Sequence, residues 1–247
     1  MRIECGVRSD QGKIRSSNED ACVADVKNAL FVVADGMGGH AAGEIASQIA
    51  ASTVEEVVAA EKISATDMQS LLRLAVAKAN RRVYETQMSK PECRGMGSTL
   101  TVLSFMDGQY YVAQVGDSRA YLFRDNILNQ LTQDHSLVWP LFESGILSKD
   151  DISHHPQKNL ITRSVGTHPE VEADLKNGLA CEGDIFLLCS DGLTDVLSDR
   201  DIRNILAGDG SSTQEMSELL VEAANSGGGP DNVTVVVVSL APGKSTG

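Results

Sequence analysis

The sequence predicts an α+β protein in which helices and antiparallel strands form separate layers. Two amphipathic helices precede a run of closely spaced strands, and a further helix and a final strand follow that run. Blocks of this kind differ from the strand–helix alternation that builds a parallel sheet. The 247 residues, 42% of them hydrophobic, suit one large domain with a sizeable core.

The helices are predicted from apolar residues that recur at helical spacing. Such a face covers residues 41–60, a second follows a capping box at residues 66–69, and a third follows a capping box at residues 212–215. The third helix ends at the glycine-rich stretch 227–230, and a shorter helix begins near Ser198.

The strands are predicted from short runs of β-branched, aromatic and other apolar residues. Asp107-Gly108 and Asp125-Asn126 are two-residue hairpin signals between neighbouring runs, so the middle of the chain is expected to be an antiparallel meander. The predicted strands cover residues 29–34, 99–105, 109–115, 120–124, 127–131, 184–189 and 232–240.

The charge of the chain excludes several partners. With 34 acidic and 21 basic residues the net charge is −13, which repels nucleic acid and anionic lipid, and 4% aromatic residues are too few for base stacking. No apolar run approaches the about 20 residues of a membrane span, and no secretory signal is expected. The five cysteines, an odd number without a C-x-x-C pair, favour a reducing cytoplasm.

Four aspartates stand where an apolar strand meets a glycine or a proline. Asp35, Asp117 and Asp191 follow strands, and Asp231 opens the last one. One such aspartate is typical of a turn. Four at one sheet edge would repel each other unless cations lay between them, and oxygen ligands suit Mg²⁺ or Mn²⁺ rather than zinc or copper.

The loop over residues 35–41 (DGMGGHA) follows a strand and opens a helix. It matches the dinucleotide pattern G-x-G-x-x-A, but the chain is still helical where that fold needs its second strand and acidic residue. A metal and phosphate site is the better interpretation. The Gly36 carbonyl can ligate a cation, the helix N-terminus favours an anion, and His40 is placed to donate a proton. Upstream, Arg15 could clamp a phosphate, although this segment taken alone is more typical of a solvated loop.

These motifs occur together in one known family. The chain resembles the metal-dependent protein phosphatases of the PPM family, the type 2C Ser/Thr phosphatases, and most of its length contributes to the match. The matching motifs, in the family's order, are SDQG (9–12) with RSSNEDA (15–21), VADGMGGH (33–40), GMGSTL (95–100), VGDSRAY (115–121), LTQDHS (131–136), LITRSVG (160–166), SDGL (190–193) and GPDNVT (229–234).

The resemblance implies a metal site for two Mn²⁺ or Mg²⁺ ions. It implies that Asp35 bridges the ions, that Asp191 and Asp231 complete the first, and that the Gly36 carbonyl ligates the second. Asp117 with Asp191 matches a third metal site. By the same resemblance, Arg15 binds the substrate phosphate and His40 is the general acid. The implied supporting residues are Glu19 and Asp20, which would hold metal-bound waters, and Ser98, Thr99 and Asn232.

The implied fold is a four-layer αββα sandwich, two antiparallel sheets flanked by helices. The implied activity is hydrolysis of phosphoserine and phosphothreonine in proteins by direct attack of a water held between the ions, which reverses the action of a Ser/Thr kinase on its substrates. We expect a cytoplasmic monomer with one catalytic domain over residues 1–241, a short tail over 242–247, and a flap over about 137–166 that determines substrate choice.

Three other functions compete with this one. A cysteine-based phosphatase is excluded, because no cysteine is followed six residues later by arginine. An inactive, phosphoprotein-binding relative would tolerate loss of a metal ligand, yet all four aspartates are present. A small phosphorylated metabolite as substrate stays open, because the same metal site would serve it.

Overall fold

The computed structural model describes residues 1–38, 41–148, 151–152, 155–208 and 210–243. The strands of these residues are β1 (Arg2–Asp10), β2 (Asp20–Asp25), β3 (Leu30–Met37), β4 (Gly97–Ser98), β5 (Leu100–Met106), β6 (Gln109–Val115), β7 (Arg119–Arg124), β8 (Ile127–Gln130), β9 (Asp174–Leu179), β10 (Ile185–Cys189) and β11 (Val233–Ala241). The helices are α1 (Ala41–Glu61), α2 (Met68–Ser89), α3 (Trp139–Glu143), α4 (Asp191–Thr194), α5 (Asp199–Leu206) and α6 (Thr213–Ser226).

The strands form two antiparallel sheets. Sheet A has the strand order β1-β11-β10-β7-β8, and sheet B has the order β2-β3-β5-β6-β9 with the short β4 paired to β3. Every strand pair in both sheets is antiparallel. The predicted α+β class and the central meander are therefore confirmed.

Alternation along β3 assigns its side chains to two different layers of the core. Leu30, Val32 and Ala34 pack with α1 and α2 on the outer face of sheet B. Phe31 and Val33 point the other way and pack against sheet A. Successive residues of a strand face opposite sides, so a strand with both faces covered is apolar at nearly every position.

β11, in sheet A, is likewise covered on both of its faces. Val236 and Val238 lie between the sheets, whereas Val235 and Val237 pack against α4, α5 and α6. The nearly unbroken valine run of β11 thus follows from burial on both faces. The order helices, sheet B, sheet A, helices is the predicted four-layer αββα sandwich.

Local signals predicted most turns and caps correctly. Asp107 and Gly108 join β5 to β6, Asp125 and Asn126 join β7 to β8, and all four have positive φ, as a tight hairpin requires. The capping box at residues 212–215 is confirmed. The box predicted at residues 66–69 is wrong by one position, because Asp67 caps α2 and its two oxygens accept the N–H groups of Gln69 and Ser70.

Sequence periodicity did not reveal strands β1, β2 and β9. All three lie at sheet edges, where one side of the strand has no neighbour. Their burial is partial and their composition mixed, so the apolar pattern is weak. Pairing with β11, β3 and β6 respectively makes these segments strands.

The predicted flap, residues 137–166, contains α3. An isolated antiparallel bridge pairs Ser136, just before the flap, with Ile161 near its end. Residues 149, 150, 153 and 154 of the flap, and residues 244–247 of the predicted tail, lie outside the described residues. Among the helices that the structure describes, none is both long and apolar enough to cross a membrane.

The inter-sheet layer predicts where the protein is most sensitive to truncation. Phe186 is fully buried, with ring contacts to Phe105 and Tyr110 at centroid distances of 5.2 Å. We expect Phe186→Ala to lower the free energy of unfolding by about 3–5 kcal/mol in a urea titration, because it leaves a cavity between packed sheets. Leu179→Ala, at a position 69% exposed, should change it by no more than about 0.5 kcal/mol. Equal effects of the two variants would contradict this packing.

Candidate metal centre

The four aspartates lie where strands of both sheets end. Asp35 is near the end of β3 and Asp117 follows β6, both in sheet B, whereas Asp191 follows β10 and Asp231 precedes β11, both in sheet A. The expectation that they share one sheet edge is wrong. Two facing sheets supply two aspartates each, because the sandwich brings the same end of both sheets together.

Burial and mutual repulsion dominate the electrostatics of this cluster. Burial raises the pKa of Asp35 well above its usual range, and the carboxylates of Asp20, Asp191, Asp117 and Asp231 raise it further. Burial also raises the pKa of Asp191 well above its usual range, and the carboxylates of Asp117 and other aspartates raise it further. Burial also raises the pKa of Asp117 to about 7 and that of Asp20 to about 6. A divalent cation would reverse these shifts, because it favours the ionised carboxylate.

Unpartnered oxygen atoms show that the cluster fits a hard cation. Asp20 Oδ1, Asp117 Oδ1 and Asp191 Oδ1 are buried and accept no hydrogen bond from the protein. Leaving a buried carboxylate oxygen without a partner is costly, and metal coordination is one way to satisfy it. The donors are oxygens alone, which is the set that Mg²⁺ and Mn²⁺ accept.

Ser98 and Thr99 hold Asp35 through its backbone. The Asp35 N–H donates to Thr99 Oγ1 at 2.9 Å, and the Asp35 carbonyl accepts from Thr99 N at 2.8 Å and from Ser98 Oγ at 3.0 Å. Three contacts from one segment hold the main chain that carries the carboxylate. Ser98 and Thr99, which the resemblance implies as supporting residues, thus contact the backbone of Asp35 itself.

Gly36 occupies a position that no side chain could share. A Cβ atom there would lie 2.0 Å from the Gly43 carbonyl oxygen in α1 and 2.6 Å from the Glu19 carbonyl oxygen. The Gly36 N–H donates to that Glu19 oxygen at 3.1 Å. The glycine thus lets α1 and the N-terminal loop approach β3 beside Asp35.

Asp20 stands directly opposite Asp35 in the β2–β3 register. Its Oδ2 accepts from Ser190 Oγ at 2.8 Å, and the same hydroxyl oxygen accepts the Thr234 N–H at 3.0 Å. Ser190 therefore joins sheet A to an aspartate of sheet B. Sequence reasoning gave Ser190 no role, and its only signal was its place in the motif SDGL.

Asn232 fastens the N-terminal loop to the start of β11. Its side-chain oxygen accepts the Glu19 N–H at 2.8 Å, and its amide nitrogen donates to the carbonyls of Gln11 at 2.9 Å and Ser17 at 2.8 Å. This one side chain shapes the loop that contains Arg15, Glu19 and Asp20.

Arg15 reaches the cluster from the solvent side. Its guanidinium donates to Asp231 Oδ2 at 2.6 Å, and its side chain is 55% exposed. That hydrogen bond raises the pKa of Arg15. Within the described part of the chain, no group of three or more acidic, His or Cys side chains is already arranged to hold a metal ion. His40, the predicted general acid, lies outside the described residues.

His135 was missed as a support of Asp117. Its Nδ1 accepts the N–H of Gly116 at 3.0 Å, and burial lowers its pKa, which favours the neutral acceptor form. Next to it, the Asp134 carboxylate accepts three hydrogen bonds from Arg119. Asp134 and His135 both belong to the motif LTQDHS, and the resemblance implied no role for either residue.

Comparisons with known proteins agree with this geometry. The family model described as "Protein phosphatase 2C" matches residues 13–225. The Serine/threonine phosphatase stp of Listeria welshimeri is 38% identical over 236 residues, which span 94% of this chain and 93% of the relative. The Serine/threonine protein phosphatase PstP of Mycobacterium tuberculosis is 40% identical over 238 residues, which span 96% of this chain and 45% of that longer protein.

Solved structures give the same result. The crystal structure of the Mycobacterium tuberculosis serine/threonine phosphatase PstP/Ppp matches with a TM-score of 0.90 at 40% identity, covering 97% of this chain and 99% of that one. The PstP catalytic domain in complex with two manganese ions matches with a TM-score of 0.88 at 38% identity, and the match covers 97% of this chain and 99% of that one. The sandwich, the aspartate cluster and these similarities lead to one conclusion: the chain belongs to the protein phosphatase 2C family.

Proposed function

We propose that this chain is a metal-dependent phosphatase that removes phosphate from phosphoserine and phosphothreonine in proteins by direct attack of water. The observation that carries the proposal is the set of buried, unpartnered carboxylate oxygens on Asp20, Asp117 and Asp191. The stp and PstP relatives, both named as Ser/Thr phosphatases, and the manganese ions of the related PstP structure support it.

The residues that would hold the ions follow from the family and from the geometry. Asp35 would be shared by two ions, Asp191 and Asp231 would complete the first, and the Gly36 carbonyl would serve the second. Asp117 with Asp191 would hold a third ion. When bound, such ions supply an activated water nucleophile and neutralise charge on the phosphate.

The chain's own side chains would position the substrate and move protons. Arg15, already at the cluster edge, would bind two phosphate oxygens and stabilise the charge that develops on them. Asp20 and Glu19 would accept hydrogen bonds from water in the site. His40 would protonate the leaving seryl or threonyl oxygen.

We also propose the biological setting that the family suggests. The substrates would be phosphoproteins, among them a Ser/Thr kinase and the proteins that it phosphorylates. The enzyme would act as a cytoplasmic monomer, a location consistent with the free state of all five cysteines. Residues 1–241 would form the catalytic domain, with the flap at 137–166 and a tail at 242–247.

The first test is a metal titration of protein stripped with a chelator. We expect Mn²⁺ or Mg²⁺ to restore hydrolysis of p-nitrophenyl phosphate and to raise the melting temperature, because the cations bind the folded state and relieve carboxylate repulsion. Asp191→Asn should lower turnover by about 100-fold or more and reduce the thermal shift.

Asp125→Asn is the matched control, because Asp125 lies in a hairpin turn with positive φ, which asparagine also adopts. It should behave as the wild type in both measurements. Full activity of Asp191→Asn would reject the ligand assignment, and a folded wild type that no divalent ion activates would reject the proposed function.

Arg15→Ala should separate phosphate binding from metal binding. We expect kcat/KM to fall about 10–100-fold, mainly through KM, because a charge-assisted contact to phosphate is lost. The affinity for Mn²⁺, measured by calorimetry, should not fall, since Asp231 is freed from its partner. Arg81→Ala, which alters a 77% exposed side chain on α2, is the control. A large loss of Mn²⁺ affinity in Arg15→Ala would assign this residue a structural role instead.

His40→Ala tests the general acid by leaving-group dependence. Its turnover of a phosphoserine peptide should fall further than its turnover of p-nitrophenyl phosphate, because p-nitrophenolate leaves without needing a proton. Steady-state kcat values for the two substrates provide the comparison. Equal slowing of both substrates would show that His40 is not the acid.

A further inference from the structure

A cavity of about 310 Å³ extends from the aspartate cluster to the flap. Asp117 and Asp191 line its inner end. The rest is lined by flap residues, by the segment that joins α4 to α5, and by Arg119, Asp134 and Ser136. This volume lies at the lower end of the range of about 300–1,000 Å³ that is typical of ligand sites. It is therefore large enough for a group attached to the reacting phosphate ester.

Three apolar side chains line the outer part of the cavity: Trp139 and Ile152 of the flap and Leu197 after α4. The Trp139 ring packs edge-on against Phe142 at a centroid distance of 5.3 Å, which fixes its orientation within α3. These side chains present a surface whose burial favours an apolar ligand.

Charged side chains also line the outer cavity. Among the residues that the structure describes, its carboxylates other than Asp117 and Asp191 are Asp134, Asp195 and Asp199, and its cations are Arg119, Lys158 and Arg200. Arg119 is paired with Asp134 at 2.6 Å, and Lys158 with Asp195 at 2.9 Å. Two of these cations are thus neutralised by carboxylates of the cavity itself, and the apolar side chains remain as the surface that an uncharged group can cover.

Asp195 connects the flap to the metal centre. Its carboxylate holds Lys158 and, at 3.2 Å, the side-chain amide of Asn159, both in the flap. Its backbone N–H donates to the Asp191 carbonyl at 2.8 Å. The outer cavity is thus held at a set position relative to the reacting centre, as a subsite for a neighbouring part of the substrate requires.

From these contacts we propose that the cavity binds an apolar side chain flanking the phosphorylated residue of a protein substrate. This inference rests on the proposed function and extends it, because such a subsite has no use for a small phosphorylated metabolite. Apolar burial in a pocket of this kind discriminates between side chains by about tenfold or more.

The kinetic test uses metal-loaded enzyme and phosphoserine peptides that carry leucine or alanine, scanned along each side of the phosphoserine. At one position leucine should raise kcat/KM about tenfold over alanine. Trp139→Ala and, separately, Leu197→Ala should reduce that ratio to below about twofold. Ile146→Ala, at a flap position that is 70% exposed, should keep the wild-type ratio. Hydrolysis of p-nitrophenyl phosphate normalises each variant for its metal centre.

Fluorescence gives a direct readout, because Trp139 is the single tryptophan of the chain. A phosphonate analogue of the leucine peptide, which is not hydrolysed, should shift the Trp139 emission to shorter wavelength, and the alanine analogue should shift it less. Equal turnover of all leucine and alanine peptides, a preference that survives Trp139→Ala, or unchanged emission would each overturn the subsite. A wild type that hydrolyses p-nitrophenyl phosphate but no phosphopeptide would instead overturn the proposed function.

Discussion

Mutual repulsion among buried carboxylates is the constraint on which the rest of this structure depends. Asp20, Asp35, Asp117 and Asp191 are withdrawn from water at one end of the sandwich, and burial together with neighbouring carboxylates makes ionisation of each of them less favourable. Such a cluster persists only if the surrounding backbone holds it in place. The contacts of Ser98 and Thr99 to Asp35, and of Ser190 to Asp20, supply that restraint.

The restraints join segments that are far apart along the chain. Asn232 binds the backbone of residues more than 200 positions away, and β1 lies beside β11 along its full length. The cluster is consequently complete only after both sheets have formed and the first and last strands have paired. A folding intermediate with one sheet would contain only one of the two pairs, either Asp35 and Asp117 or Asp191 and Asp231.

Chemistry and recognition occupy different parts of the molecule. The aspartate cluster belongs to strand ends that two packed sheets hold rigidly, whereas the proposed side-chain subsite is built from flap residues and from the segment that joins α4 to α5. Asp195 is the physical link between the two, through Lys158 and Asn159 on one side and the Asp191 backbone on the other. Substitutions in the flap could therefore alter substrate preference without moving the residues that hold the metal ions.

Features that depend on neighbouring residues were predictable from the sequence alone. The hairpins at Asp107 and Asp125 and the capped helix at Ser212 follow from local backbone preferences, and the family motifs identify the aspartates. Only the tertiary structure decided that two sheets share the site, that Arg15 pairs with Asp231, that Ser190 holds Asp20, and that β1, β2 and β9 are strands. Each of these depends on a partner distant in sequence, and neither periodicity nor spacing encodes which distant groups meet.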